Sequence, residues 1–234
     1  MTITLRPHQR EACDAMLKHN RGQIIVPTGG GKTMCMIQDA IDTIDKLDIS
    51  TIVVVAPRIL LAEQLSSEYL EHITNANVLH VHSGETKHFS TTKSDRIKLF
   101  VDMCQTVREH VIIFTTYHSL HRVMESGIDV DTIYFDEAHN SVQRNFFPAT
   151  EFFANDADRC YFYTATPKHS LTISKPGMND AAVYGQVLIN VPAPELVEQG
   201  YILPPKVVVK QLPLIKGRKV MYADDCDNLI ETID

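Results

Sequence analysis

The chain has 234 residues, 44% of them apolar, and a formal net charge of −7. That length allows one large domain or two small ones with a sizeable core. No run approaches the roughly 18 apolar residues of a membrane span, and the acidic balance argues against a protein that coats nucleic acid by bulk charge. The cysteines, Cys13, Cys35, Cys104, Cys160 and Cys226, form no C-x-x-C pair. Reduced, mostly buried thiols are therefore expected, not a disulfide framework or a zinc site. The polar start, Met1 to Arg6, is no secretory signal, which makes a soluble intracellular protein the default expectation.

Taken in order, Pro7 to Leu17 carries apolar residues at helical spacing, with a proline suited to the first turn. Gln23 to Val26 predicts a strand, and a helix is expected from about 33 to 46. Thr51 to Ala56 is β-branched and unbroken by polar residues, as in a strand buried on both faces of a parallel sheet. Arg58 to Leu70 predicts a helix with Ile59, Leu60, Leu65 and Leu70 turned inward. Val78 to Val81 is a further strand candidate, the polar segment 83–94 an exposed loop, and Asp95 to His110 a helix. Val111 to Thr116, Ile133 to Phe135 and Cys160 to Tyr163 predict strands, with a short helix from Tyr117 to Met124. Val187 to Val191 and Lys206 to Val209 are weaker strand candidates around a short helix, Pro194 to Gln199, closed by Gly200. The polar remainder, 213–234, is expected to be a linker after a domain spanning 1–212.

Between the first strand and its helix lies Pro27-Thr28-Gly29-Gly30-Gly31-Lys32-Thr33. Glycines without Cβ let successive N–H groups converge on one anion, and the following helix adds its positive N-terminal end. Lys32 would reach the β- and γ-phosphates and the Thr33 hydroxyl would hold Mg²⁺. A flexible surface loop is the bland alternative, but Lys-Thr directly after the glycines disfavours it. Val26 stands where the general pattern has its first glycine. Upstream, Gln9 is a candidate adenine reader, since a carboxamide can pair with both the N6 and N7 edge. A second motif, Asp136-Glu137-Ala138-His139, ends a strand; an ATP site needs one carboxylate for Mg²⁺ and another to position the attacking water.

Together with Ala56-Pro57-Arg58 and Thr164-Ala165-Thr166-Pro167, these motifs resemble superfamily 2 helicases and translocases over about residues 5–212. The resemblance implies an α/β, RecA-like P-loop NTPase domain with a mainly parallel central sheet and helices on both faces. It implies that Arg6, Gln9, Thr28, Gly29, Gly30, Gly31, Lys32 and Thr33 bind nucleotide. Lys32, Asp136 and Glu137 would act in hydrolysis, Thr33 and Asp136 on Mg²⁺, and His139, Thr164 and Thr166 in coupling to a neighbouring domain. Pro57, Arg58, Thr115 and Thr116 match loops that grip a nucleic-acid backbone without reading bases; Arg58 and Thr115 could instead simply cap helices.

The segment Glu195 to Pro205 looks like the close of the first domain in the branch related to type III restriction subunits and phage DNA helicases. DNA is therefore the expected partner, with RNA open through the likeness of Asp-Glu-Ala-His to the DEAH group. The family hydrolyses ATP between two RecA-like domains, with an arginine from the second reaching in. This chain is accordingly expected to be the first half of a longer motor and weakly active alone. A DEAH-type RNA helicase half and a nucleotide-gated binding module without turnover are the alternatives, and a small P-loop kinase ranks last. His80 and His82 would share one strand face, and His118 and His121 one helix face, but no third and fourth metal ligand stands at suitable spacing. Structural histidines are therefore expected. The aromatic sets Phe146-Phe147, Phe152-Phe153 and Tyr161-Phe162-Tyr163 are expected in the core.

Overall fold

The computed structural model describes residues 3–172 and 174–204. The compact unit Met1–Ile202 is a single sheet of eight strands with helices on both faces. The strands are β1 (Arg21–Ile25), β2 (Thr51–Ala56), β3 (Ala76–Val81), β4 (Phe89–Ser90), β5 (His110–Thr116), β6 (Thr132–Phe135), β7 (Arg159–Thr164) and β8 (Gln186–Asn190). Their order across the sheet is β4-β3-β5-β2-β6-β7-β1-β8, and every pairing is parallel. The helices are α1 (Pro7–Met16), α2 (Lys32–Lys46), α3 (Ile59–Leu70), α4 (Ser94–Thr106), α5 (Leu120–Ser126), α6 (Phe147–Asp156), α7 (Ala181–Tyr184) and α8 (Ala193–Glu198).

Strand alternation divides the core in two. On β2, Val53 and Val55 join one apolar cluster with Ile97 and Val101 of α4, Val123 of α5 and Phe153 of α6. Ile52, Val54 and Ala56 point the other way, onto Ala12 and Met16 of α1, Met36 and Ala40 of α2 and Tyr69 of α3. Both faces of the strand are dry, which is why its sequence shows no polar alternation. Phe153, Tyr161, Phe162 and Tyr163 are fully buried and Phe146 nearly so, as core aromatics, whereas Phe152 is half exposed. Cys13, Cys35, Cys104 and Cys160 are free and buried; Cys226 lies outside the described residues.

Several expectations need correction. Leu60 is 79% exposed, and α3 instead turns Ala62, Leu65, Ser66 and Tyr69 inward. Likewise Leu99 and Met103 of α4, and Val107 just past its end, face solvent while Ile97, Val101 and Cys104 are buried. The segment 83–94 is not wholly loop, because Phe89–Ser90 adds a short parallel strand to β3. The strand predicted at 206–209 and the 213–234 linker lie outside the described residues. Among the described residues no helix is long and apolar enough to cross a membrane.

An all-parallel sheet sends the C-terminal end of every strand to one edge, where open α/β sheets bind their ligands. The P-loop helix is anchored to that sheet from below. Asp39 of α2, 1% exposed at its side chain, pairs with Arg159 of β7 and accepts a hydrogen bond from Tyr134 Oη of β6. Arg159 also donates to Thr43 Oγ1 at 2.9 Å. A charge this deep is kept only because partners surround it.

Candidate functional site

The loop after β1 is held by the helix that precedes it. Arg6 Nη1 donates to Gly29 O at 3.4 Å, His8 Nε2 lies 2.7 Å from Gly30 O, and Gln9 Nε2 donates to Gly31 O at 3.1 Å. Three successive carbonyls are thereby tied to one end of α1. Since a carbonyl can only accept, His8 carries its proton on Nε2. Tyr201 backs this clamp, with the Arg6 guanidinium 4.6 Å from its ring centre and the His8 ring at 5.8 Å.

Of the loop N–H groups, that of Gly30 turns back onto Pro27 O at 3.0 Å. Among the described residues, none accepts a hydrogen bond from the N–H of Gly29, Gly31, Lys32 or Thr33. Gly29 and Gly31 sit at φ +79° and +81°, where a side chain is strained. A Cβ on Gly31 would come within 2.2 Å of Gln9 Nε2, and one on Gly30 within 2.5 Å of Val26 Cγ1. The second contact shows what Val26 imposes: its buried side chain packs where any residue larger than glycine at position 30 would intrude. The cradle thus combines orphan donors, a helix N-terminus and backbone space that suits an anion.

Gln9 is nearly buried, and each pole of its carboxamide is used once: Oε1 accepts from Arg6 N at 2.7 Å and Nε2 donates to Gly31 O. An amide offers two lone pairs and two N–H donors, so one of each is left, the set a base edge would need.

Across the cradle, Lys32 Nζ meets Glu137 Oε1 at 3.2 Å. Glu137 has φ +46°, one of two non-glycine residues described with positive φ. That conformation is held by its surroundings: Tyr117 Oη donates to Asp136 O at 2.8 Å, Asp136 N to Val55 O at 2.8 Å, and Asn140 Nδ2 to Glu137 O at 2.9 Å. Backbone strain persists only where neighbours over-determine it. Burial, and then the Glu137 charge, push the Asp136 carboxyl up to about 6, while Lys32 opposes the rise. Ionised Asp136 is thus costly in this buried place beside a second carboxylate, and a cation there would offset the cost.

From this acidic pair a polar chain leads along the strand ends. His139 Nδ1 lies 3.5 Å from Glu137 Oε2 and 3.0 Å from Thr164 Oγ1, which accepts from Thr166 N at 3.1 Å. Thr164 is fully buried and Thr166 exposed. Burial lowers the His139 pKa.

The candidate nucleic-acid residues divide. Arg58 is exposed at the N-cap of α3, where its backbone carbonyl accepts from Ala62 N at 3.0 Å while its side chain makes no capping hydrogen bond. Pro57 beside it is half-buried. Thr115 and Thr116 are buried, and Thr115 Oγ1 donates inward to Val81 O at 2.9 Å. Neither threonine presents its side chain at the surface. Tyr117 is buried on Asp136, while His118 is exposed and edges onto Phe146. Thr28 is exposed on the cradle rim.

His8 and Tyr201 were missed by sequence reasoning. A histidine in a polar helix start and a tyrosine after Gly200 carry no local signal, since only the fold brings them to the loop.

A family model described as "Type III restriction enzyme, res subunit" matches residues 2–169. No curated protein matches. Among solved structures, the chain is similar to a nuclease-deletion mutant of the Type ISP restriction-modification enzyme LlaGI in complex with a DNA substrate mimic, at 23% identity and TM-score 0.72, covering 85% of this chain and 21% of that one. It is similar to the ATP-dependent Type ISP restriction-modification enzyme LlaBIII bound to DNA, at 20% identity and TM-score 0.69, covering 86% of this chain and 16% of the other. The UvsW helicase from bacteriophage T4 follows at 15% identity and TM-score 0.55, with 79% and 60% covered. At such identities the likeness is one of fold: a RecA-like α/β domain. The chain spans about a fifth or less of the two restriction enzymes' length.

Proposed function

The chain belongs to the family of the type III restriction enzyme res subunit, and from that premise we propose that it is the ATP-binding half of a DNA helicase or translocase, hydrolysing ATP when paired with a second RecA-like domain. The observation that carries this is the cradle itself, in which Arg6, His8 and Gln9 occupy the Gly29, Gly30 and Gly31 carbonyls and leave loop N–H groups for an anion. DNA is favoured as partner because LlaGI and LlaBIII are DNA complexes.

In this proposal the triphosphate lies over residues 28–33, and the remaining amide groups of Gln9 take the adenine edge. Thr33 and Asp136 would hold Mg²⁺, which would supply charge neutralisation on the phosphates. Lys32 and Glu137 pair with each other at 3.2 Å without ligand. Phosphate draws Lys32 away, and Glu137 is freed to orient the attacking water. His139, Thr164 and Thr166 relay the nucleotide state to the neighbouring domain. Arg58 and Pro57 meet the nucleic-acid backbone, with Thr115 and Thr116 bracing that edge from inside.

The test is nucleotide binding and steady-state ATP hydrolysis by the chain, alone and within a longer protein carrying a second domain. Each is measured without nucleic acid and with duplex DNA, single-stranded DNA or RNA. Lys32→Ala should lose nucleotide binding, and Glu137→Gln should keep binding while losing turnover. A chain that binds no nucleotide refutes the proposal, and stimulation by RNA alone refutes the DNA assignment.

A further inference from the structure

The mechanism above makes no use of a polar cluster buried where β3 ends. His80 and His82, both almost wholly inaccessible, point to the same side of that strand, as their spacing predicts. What the sequence does not reveal is the third group, Glu63, delivered by α3 from nearly a full strand and loop upstream. His80 Nδ1, His82 Nε2 and Glu63 Oε1 form a triangle with edges of 3.0, 3.1 and 3.2 Å. Glu63 Oε1 is buried and accepts no hydrogen bond from any described residue, although two ring nitrogens stand beside it.

The protons explain the difficulty. His82 Nδ1 accepts from Gly84 N–H at 3.2 Å, which puts the ring proton of a neutral His82 on Nε2, inside the triangle. His80 Nε2 lies 3.0 Å from Ser66 Oγ. If that nitrogen donates to the hydroxyl, the triangle holds one proton, on His82 Nε2, for two acceptors, His80 Nδ1 and Glu63 Oε1. Two buried acceptors that must share one donor are costly, and a cation removes the cost.

We infer that Glu63, His80 and His82 form a binding site for one divalent transition-metal ion of the zinc class. Two imidazoles and a carboxylate are a ligand set for zinc and disfavour magnesium or calcium, which prefer oxygen alone. An ion about 2.0–2.1 Å from each corner would sit about 1 Å off the plane of the triangle, near the tetrahedral arrangement with one position left for water. Tetrahedral ligands at that distance stand about 3.4 Å apart, so the corners need to separate by only a few tenths of an ångström. Outer partners are already in place: Ser66 Oγ on His80, and Thr86 Oγ1 donating to Glu63 Oε2 at 3.2 Å. One local change is required. Ligation through Nε2 moves the His82 proton to Nδ1, so the Gly84 N–H must turn away. The ion would pin α3, whose first turn follows Arg58, to β3 and the segment after it. This site does not depend on the nucleotide proposal.

The deciding experiment uses the whole chain, stripped by chelator and titrated with Co²⁺ and then Zn²⁺ in nucleotide-free buffer. The expected result is one Co²⁺ per chain with intense tetrahedral d–d absorption, displaced by Zn²⁺, and a melting temperature that rises with free Zn²⁺. The Gly84 amide resonance should shift on loading. Glu63→Gln and His82→Gln should each weaken binding at least tenfold, with nucleotide affinity as the check on folding. Absence of saturable binding by the unmodified chain, a weak octahedral-type spectrum, or unchanged affinity in both folded variants would each overturn the assignment. The titration of the unmodified chain stands even where a variant fails to fold.

Discussion

Gly31→Ala tests the clamp between α1 and the phosphate loop. Gly31 sits at φ +81°, and its new Cβ would stand 2.2 Å from Gln9 Nε2. The left-handed backbone costs an L-residue about 1–2 kcal/mol. Moving the Gln9 side chain gives up its bonds to Gly31 O and Arg6 N, at about 0.5–1.5 kcal/mol each. The sum, about 2–5 kcal/mol, weakens nucleotide binding by roughly 30-fold to a few thousand-fold if the bound loop must keep this shape. Gly29→Ala is the internal control. It has nearly the same φ, +79°, but its Cβ meets nothing closer than Ile202 Cγ2 at 3.3 Å. Strain alone predicts a loss of roughly 5- to 30-fold. In a Gln9→Ala background the clash is gone, so Gly31→Ala should then cost no more than Gly29→Ala. Calorimetric ATP titration of the four Gln9/Gly31 combinations at fixed Mg²⁺ measures this coupling. Equal losses for the two glycine variants, or additive losses for Gly31→Ala and Gln9→Ala, would refute the clamp.

Other perturbations separate stability from chemistry. Asp39→Ala leaves Arg159 without its partner deep under α2 and should destabilise by about 3–5 kcal/mol, read as a lower urea midpoint. Asp131 has its carboxyl pKa raised by burial, despite accepting from Thr51 N–H. A raised folded pKa means stability falls as pH rises from the unfolded carboxylate value through the folded one, and the loss is complete above it. Asp131→Asn, which keeps an acceptor for Thr51, should therefore raise the melting temperature at neutral pH, with no gain below the unfolded carboxylate pKa. His8→Phe removes the donor to Gly30 O and should weaken ATP binding by about tenfold, with little change in melting temperature. Thr164→Val removes the hydroxyl between His139 and Thr166; ATP binding should persist while stimulation by DNA falls, in a two-domain protein.

The strands and the cradle were legible because their signals are local. β2, β5, β6 and β7 are apolar runs too short to be helices, and Gly-Gly-Gly-Lys-Thr states its backbone needs within a few residues. What escaped depends on distant partners. Leu60 looked like core by hydropathy, yet the sheet accepts the Ala62, Leu65, Ser66 and Tyr69 face of α3, where two small residues let the helix approach. The strand β4 has only two residues and takes its identity from pairing with β3, not from its own exposed side chains. Glu63 was invisible as a partner for His80 and His82 for the same reason. Thr115 carried a plausible surface role by motif position, but strand alternation turned its hydroxyl inward onto Val81 O.

The polar chain beginning at Lys32 gives the proposed coupling a physical form. Contacts of 3.2, 3.5, 3.0 and 3.1 Å run from Lys32 through Glu137, His139 and Thr164 to the exposed Thr166. Only its first link has an alternative partner supplied by substrate. When phosphate takes Lys32, Glu137 loses its ion-pair partner and the smallest of the effects that lower the His139 pKa is withdrawn, while burial and Lys168 still lower it and the Glu137 charge still raises it. A more readily protonated His139 has to donate at Nδ1, so Thr164 Oγ1 must accept from it while still accepting from Thr166 N. A hydroxyl has two lone pairs and can do both, at the expense of its own proton's present direction. Lys32 and Glu137 would thus change partners, and the Thr164 hydroxyl would reverse its direction toward His139, without any strand moving, beside the exposed Thr166 where a neighbouring domain could meet it.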